Sequence, residues 1–263
     1  MDLGLAGRTA VVAASSKGLG GAVAEEFAEE GANVVMCARG AEELAAAAES
    51  VRARGSGEVL AQVADLSELG AGEEVVRRAI ERFGTVDILV NNAGGPPAGR
   101  FEDHTPEAWR AAVRLNLESA LEMTRAALPA MKEGRWGRVI NITSVSVKEP
   151  VDNLILSNSV RAAVTGWAKT LSNEVAADGV TVNNVLPGFT RTQRMEQLAS
   201  ATAERTGATA SSVMEQWEKV IPAGRMGEPR EFAAVVAFVA SERASYLNGL
   251  SIAVDGGRTR ALY

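Results

Sequence analysis

Cysteine occurs once, at Cys37, so no disulfide can close within the chain and a site built from several thiolates is excluded. Histidine also occurs once, at His104, and tyrosine only twice, at Tyr246 and Tyr263. Basic clusters are missing, and a formal net charge of −6 argues against general affinity for nucleic acid. No apolar run approaches the ~20 residues of a membrane span. The first residues, Met-Asp-Leu-Gly-Leu-Ala-Gly-Arg, lack the charged and apolar regions of a secretory leader. These absences point to a soluble, cytoplasmic protein whose partner is a small molecule, with no nucleic acid and no membrane involved.

What is present organises around one stretch. Thr9 to Ala14 is an apolar run that reads as a buried strand, followed by the small-residue turn Ser15-Ser-Lys-Gly-Leu-Gly20. Leu19, Val23 and Phe27 then recur at helical spacing. Strand, glycine turn and helix make a place where backbone N–H groups at a helix N-terminus face an anion. Gly18 lets the backbone approach a pyrophosphate, and Gly20 lets the helix pack closely on the sheet.

The rest of the chain repeats the alternation. Ala32 to Ala38, Glu58 to Ala64, Val86 to Val90, Arg138 to Thr143, Val180 to Leu186 and Leu250 to Val254 read as further strands. Helices are expected over Ala41 to Arg54, from Ser67 to Arg82, from Thr105-Pro106 through Asn116 to Lys132, from Asn153 to Asp178, and over Glu228 to Ser241. Thr105 is the natural N-cap, with Pro106 in the first helical position. Such alternation implies right-handed crossovers and a parallel sheet of about seven strands with helices on both faces. No composition break divides residues 1–263, so one domain is expected, and the strandless stretch 189–221 is expected to form a helical lid over a substrate.

Eight short pieces carry a resemblance. They are Ser15-Ser-Lys-Gly-Leu-Gly20, Ala64-Asp-Leu66, Asn91-Asn-Ala-Gly94, Leu115-Asn116, Asn141-Ile-Thr-Ser144, Val182-Asn183, Leu186-Pro-Gly188 and Val254-Asp-Gly-Gly257. In this order they resemble the short-chain dehydrogenase/reductases, in the branch that includes the 3-oxoacyl-carrier-protein reductases. The resemblance implies a Rossmann-type doubly wound sheet with a nicotinamide dinucleotide at the C-terminal strand ends. It assigns cofactor contacts to Ser16, Lys17, Gly18, Leu19 and Gly20, to Asp65 and Leu66 at the adenine, and to Asn92, Ala93 and Gly94 along the ribose. Pro187, Gly188 and Thr190 would meet the carboxamide. Asn91 is expected to serve a tight structural turn. NAD-preferring members place an acid after the second strand. Here Ala38 and Arg39 stand there, with Lys17 in the turn. Two cations suit a 2′-phosphate, so NADP(H) is expected in preference to NAD(H). A homo-oligomer, tetramer or dimer, built on the long helices around Asn116 and Arg161, is also implied.

The family's chemistry uses serine, tyrosine, lysine and asparagine. Ser144 and Asn116 stand in place. The stretch that should read Tyr-x-Ala-Ser-Lys-Ala-Ala reads Ser157-Asn-Ser-Val-Arg-Ala-Ala163 instead. Ser157 replaces the tyrosine and Arg161 the lysine, four apart on one helical face. An aliphatic hydroxyl is far less acidic than a phenol of pKa about 10. Arg161 can still fork onto ribose hydroxyls and stabilise an oxyanion. Tyr246 lies in a structural turn, Tyr263 ends the chain, and Lys148, Glu149, Asp152 and His104 read as solvated groups. The leading expectation is an NADP(H)-dependent oxidoreductase acting on a carbonyl/alcohol pair through Ser144, Asn116, Ser157 and Arg161. Two alternatives stand beside it: a catalytically inactive nucleotide-binding or scaffold protein, and an enzyme of elimination or isomerisation without net redox change.

Overall fold

A computed structural model describes residues 1–262; Tyr263 lies outside the described residues. Seven strands pair in the order β3-β2-β1-β4-β5-β6-β7, every neighbouring pair parallel. They are β1 (Thr9–Val12), β2 (Asn33–Ala38), β3 (Val59–Val63), β4 (Ile88–Asn91), β5 (Gly137–Ile142), β6 (Val180–Pro187) and β7 (Ser251–Val254). β1, β4 and β5 are buried at every residue, as strands covered on both faces must be, which explains why their sequences do not alternate and are mostly apolar, with Thr9, Asn91, Arg138 and Asn141 as buried polar exceptions.

Helices α1 (Gly18–Glu29), α2 (Ala41–Arg52) and α9 (Pro229–Ala240) cover one face, where Phe27, Leu44 and Phe232 join the core. The other face is covered by α3 (Ala71–Phe83), α5 (Ser119–Glu133) and α6 (Ile155–Val175), through Val76, Met123 and Ala168. The expected α/β Rossmann-type sheet with helices on both faces is therefore present. α4 (Pro106–Val113) is capped as expected, Ala108 N–H donating to Thr105 Oγ1 at 3.3 Å. No helix among the described residues is long and apolar enough to cross a membrane.

Several boundaries differ from the sequence reading for local reasons. The first strand stops at Val12 because Ala14 turns into the left-handed region at φ 48°. The helix expected from Ser67 begins only at Ala71, because Asp65 Oδ1 accepts from both the N–H and the hydroxyl of Ser67 and holds a turn there. Asn153, at φ 59°, delays α6 to Ile155. Between α4 and α5 the helix widens into a π turn over Arg114–Glu118 that contains Asn116, the kind of irregularity that often accompanies a functional position. Residues 189–221 contain no named strand but two helices, α7 (Gln193–Thr206) and α8 (Ala210–Lys219). These pack through Ala199, Ala203 and Val213, with Met214 and Trp217 against them.

Candidate active site

β1 pairs with β2 on one side and β4 on the other, so the chain reverses its direction of winding between β1 and β4. A crevice opens at such a switch point, outside the carboxyl ends of the strands. The glycine turn leaves β1 there and Asn92-Ala93-Gly94 leaves β4 beside it. Asn92 Nδ2 donates to the carbonyls of Ala13 and Ala14 at 3.2 and 3.4 Å, which ties the two loops together. Ser15 fastens the turn to β2, its hydroxyl donating to Val12 O and accepting from Cys37 N–H.

The turn fits a dinucleotide pyrophosphate. Ser16, Gly18 and Leu19 are half-buried around the N-terminus of α1, and Gly18 has a φ of 61°. The nearest atom to a side chain built at Gly18 would be Thr192 Cγ2 at 4.0 Å, and a side chain at Gly94 would meet nothing within 4 Å. No side chain caps α1, and its first turn holds no acid. Its leading N–H groups are therefore left for an anion. Gly20 is closed in by contrast, since a Cβ there would stand 2.4 Å from Ala14 O.

The charges differ from the simple expectation of two free cations. Lys17 Nζ lies 3.2 Å from both carboxylate oxygens of Glu43, so its charge is partly compensated. Arg39 is exposed just after β2 and lies near Asp65. The Ser67 hydroxyl and N–H, with a smaller contribution from Arg39, hold the Asp65 carboxyl below the usual range. Leu66 is buried, and Thr190 is buried with its backbone bridging to Gly227. Pro187 ends β6, and Gly188 packs so closely on Asp255 that a Cβ would lie 2.5 Å from its Cβ.

Ser144 follows β5 and caps a short 3₁₀ turn, its oxygen accepting from Ser146 N–H at 3.1 Å. Arg161 reaches from α6 to the same strand ends. Its Nη1 donates to Ile142 O at 2.9 Å, its Nη2 to Ala93 O at 3.5 Å, and its Nε to Ser157 Oγ at 3.3 Å. Burial pushes its guanidinium down to about 10, with the neighbouring charge of Arg194 adding to the effect. Asn92, Ala93, Asn116, Thr143 and Arg161 help to line a cavity of about 20 Å³, the size of one water molecule. Among the polar atoms of this lining, Asn91 Oδ1, Asn116 Oδ1 and Thr143 Oγ1 are buried without a protein partner. Asn116 Nδ2 donates to Ala112 O at 3.2 Å.

Three expectations need correction. Asn91 lies in β4 rather than in a turn, and its amide donates to Thr124 Oγ1 and to Asn141 Oδ1 at 2.9 Å. His104 is half-buried rather than fully solvated, with its Nε2 buried without a partner and packed against Gly99. Glu149 is not merely solvated, since its carboxylate accepts from Arg260 N–H at 2.6 Å. Tyr246 is fully exposed and Tyr263 lies outside the described residues. The sequence reading also missed Arg194. From α7 its Nη2 donates to Pro96 O at 2.8 Å across the β4 loop, and burial lowers its pKa. Nothing in the local sequence separates it from Arg191, which instead pairs with Glu218 at 2.7 Å.

Comparison with known proteins bears on the family and the fold. Residues 13–259 match the family model described as enoyl-(acyl carrier protein) reductase. The D-beta-hydroxybutyrate dehydrogenase of Rhizobium meliloti is 33% identical over 256 residues, 96% of this chain and 98% of that one. The 3-oxoacyl-[acyl-carrier-protein] reductase of Vibrio cholerae is 35% identical over 257 residues, 97% and 98% of the two chains. L-sorbose reductase from Gluconobacter frateurii, solved with NADPH and L-sorbose, superposes with a TM-score of 0.94 at 32% identity over the whole of both chains.

Proposed function

The chain belongs to the short-chain dehydrogenase/reductase family, and on that premise we propose that it is an NADP(H)-dependent oxidoreductase of a carbonyl/alcohol pair with a non-standard active site. One observation carries the reading: the uncapped, glycine-lined N-terminus of α1 is tied through Asn92 to the loop after β4, whose Ala93 O the Arg161 guanidinium reaches. Ser16 to Gly20 hold the pyrophosphate, Asp65 and Leu66 the adenine, and Asn92 to Gly94 the ribose. Pro187, Gly188 and Thr190 flank the carboxamide. When bound, the nicotinamide supplies or accepts a hydride at the substrate carbon.

The chain's own residues then have separable tasks. Ser144 spends an acceptor site on Ser146 N–H and keeps its O–H to donate to the substrate oxygen. Arg161 holds the ribose and adds positive charge beside the developing oxyanion, in a half-buried place where charge acts more strongly than in water. Ser157 receives the Arg161 Nε–H, which favours its alkoxide without making it as acidic as a phenol. Positioned acid–base groups contribute ~10²–10⁴-fold. The turnover number is therefore expected to fall short of a tyrosine-bearing relative by about that factor. Asn116 shapes the small cavity beside Arg161. Helices α7 and α8 serve as the substrate lid.

The deciding experiment is a titration of the purified protein with NADPH and with NADH, followed by nicotinamide fluorescence and then by a carbonyl screen. Tight NADPH binding with turnover supports an oxidoreductase. Binding without turnover, with activity appearing only in the Ser157→Tyr/Arg161→Lys variant, would favour the inactive nucleotide-binding reading. Substrate conversion without net NADPH consumption would favour elimination or isomerisation.

Arg39→Ala is expected to weaken NADPH by about tenfold and leave NADH unchanged, the effect of one charge-assisted contact to the 2′-phosphate. Equal weakening of both cofactors would remove Arg39 from that role. A homo-oligomer, dimer or tetramer, is also proposed. The outer positions of α6, including Ala162, Ala163 and Gly166, are small and exposed, which suits close helix contact. Light scattering at the monomer mass of 27.5 kDa would contradict it.

A further inference from the structure

Resting on the oxidoreductase reading, we propose that Arg161 and Arg194 form a paired clamp for a carboxylate on the substrate, so that the carbonyl compound handled here is an oxo acid. Both side chains converge on the loop that follows β4. Arg161 reaches Ala93 O from α6 and Arg194 reaches Pro96 O from α7, on the opposite side of that loop's two glycines, Gly94 and Gly95. A side chain at Gly95 would meet the Arg194 guanidinium at 3.2 Å, whereas Gly94 leaves open space.

Neither guanidinium is neutralised. Every hydrogen bond the two make, among the described residues, goes to a backbone carbonyl or to the Ser157 hydroxyl. Burial lowers both pKa values and no carboxylate offsets it. Arg191 meets Glu218, Arg114 meets Glu122 and Arg225 meets Glu231, while the buried Arg138 stacks on the Trp136 ring. Among the described residues, Arg161 and Arg194 have neither an acid nor an aromatic face against them. Two like charges held near each other in half-buried places, without a counter-ion, disfavour one another. A site that keeps them is built for an anion supplied from outside.

The donor supply agrees. Arg161 engages one N–H at each of its three nitrogens and Arg194 one N–H in all. Each guanidinium has five, so Arg161 keeps one N–H on each terminal nitrogen, one for the ribose and one for the carboxylate, and Arg194 keeps four, enough for a planar fork onto both carboxylate oxygens. A lysine at 161 would offer only a point charge. The substrate's oxygen at Ser144 and its carboxylate at the arginines would then be held at once.

The test measures binding rather than turnover. Pyruvate, acetoacetate and levulinate, with the carboxylate at increasing distance from the ketone, are titrated calorimetrically against the full chain, with and without NADPH. Each is compared with its neutral amide, and inorganic phosphate serves as a further probe. At least one oxo acid is expected to bind about tenfold more tightly than its amide, as one charge-assisted pair allows. Arg194→Gln, which keeps a donor for Pro96 O and removes the charge, should abolish that preference and leave NADPH affinity within about twofold, less than any charge-assisted contact. Arg194→Lys should restore part of it.

Equal binding of acids and amides, binding of phosphate alone, or no binding of any probe would overturn the clamp. A loss of NADPH affinity in Arg194→Gln without loss of oxo-acid preference would assign the arginine to cofactor phosphates and overturn it too. Failure of the unaltered protein to bind NADPH would instead defeat the oxidoreductase reading. The cofactor-free titration would still decide the clamp.

Discussion

Gly20→Ala is expected to lose NADPH binding by about 10²-fold or more, the scale of penalty that follows a ~1 Å displacement in a positioned site. The added Cβ would stand 2.4 Å from Ala14 O, 2.8 Å from Asn92 Nδ2 and 3.1 Å from Ala13 O. Two of these three neighbours are backbone, so no side-chain rotation relieves the clash. Ala14 is already left-handed at φ 48°, a conformation that costs a residue with a side chain ~1–2 kcal/mol. The turn therefore has little slack to give. Displacing it also breaks the Asn92 amide's hold on Ala13 O and Ala14 O, the link that keeps the two halves of the cofactor cradle together. Nicotinamide fluorescence measures the loss, with circular dichroism to show that the sheet remains. Affinity within threefold of the unaltered protein would refute the assignment of this turn to the pyrophosphate.

The second large effect concerns stability. Asn91, Asn141 and Asn184 are register partners in β4, β5 and β6, and Ser251 faces Asn184 in β7. Their side chains bond in series: Asn91 Nδ2 to Asn141 Oδ1 at 2.9 Å, Asn141 Nδ2 to Asn184 Oδ1 at 3.1 Å, and Asn184 Nδ2 to Ser251 Oγ at 3.3 Å. All three amides are buried. Asn141→Ala removes the middle member, so Asn91 loses an acceptor and Asn184 a donor. Each buried polar group left unsatisfied costs ~1–3 kcal/mol, and the total expected for the two is about 2–6 kcal/mol. For a chain of this size that lowers the melting temperature by about 4–24 °C. A shift within 2 °C would mean that water replaces the amide without loss.

How the sequence and the structure divide the information is clearest at single residues. Thr105 and Pro106 announce the start of α4, and the cap forms as written, because capping is settled within four residues. Ser67 misleads: it looks like the beginning of a helix, yet Asp65 captures both of its donors and the helix waits for Ala71. Competition between a side chain and the backbone for one N–H is decided by geometry that residue types alone leave open. The replacement of tyrosine and lysine by Ser157 and Arg161 is a matter of spacing and is legible at once. That Arg161 spans from Ser157 to Ile142 O and Ala93 O is not.

By itself the sequence determines the alternation of strands and helices, the parallel sheet with both faces covered, and the glycine turn that opens α1. Each rests on apolar periodicity and on backbone freedom, which are local properties. Only the tertiary structure decides that Glu43 compensates Lys17, that three asparagines line up across adjacent strands, and that Arg194 meets the β4 loop beside Arg161. Those contacts join residues far apart in the chain. Their meeting is set by strand register and by how α7 packs, and neither leaves a periodic trace in the residues concerned.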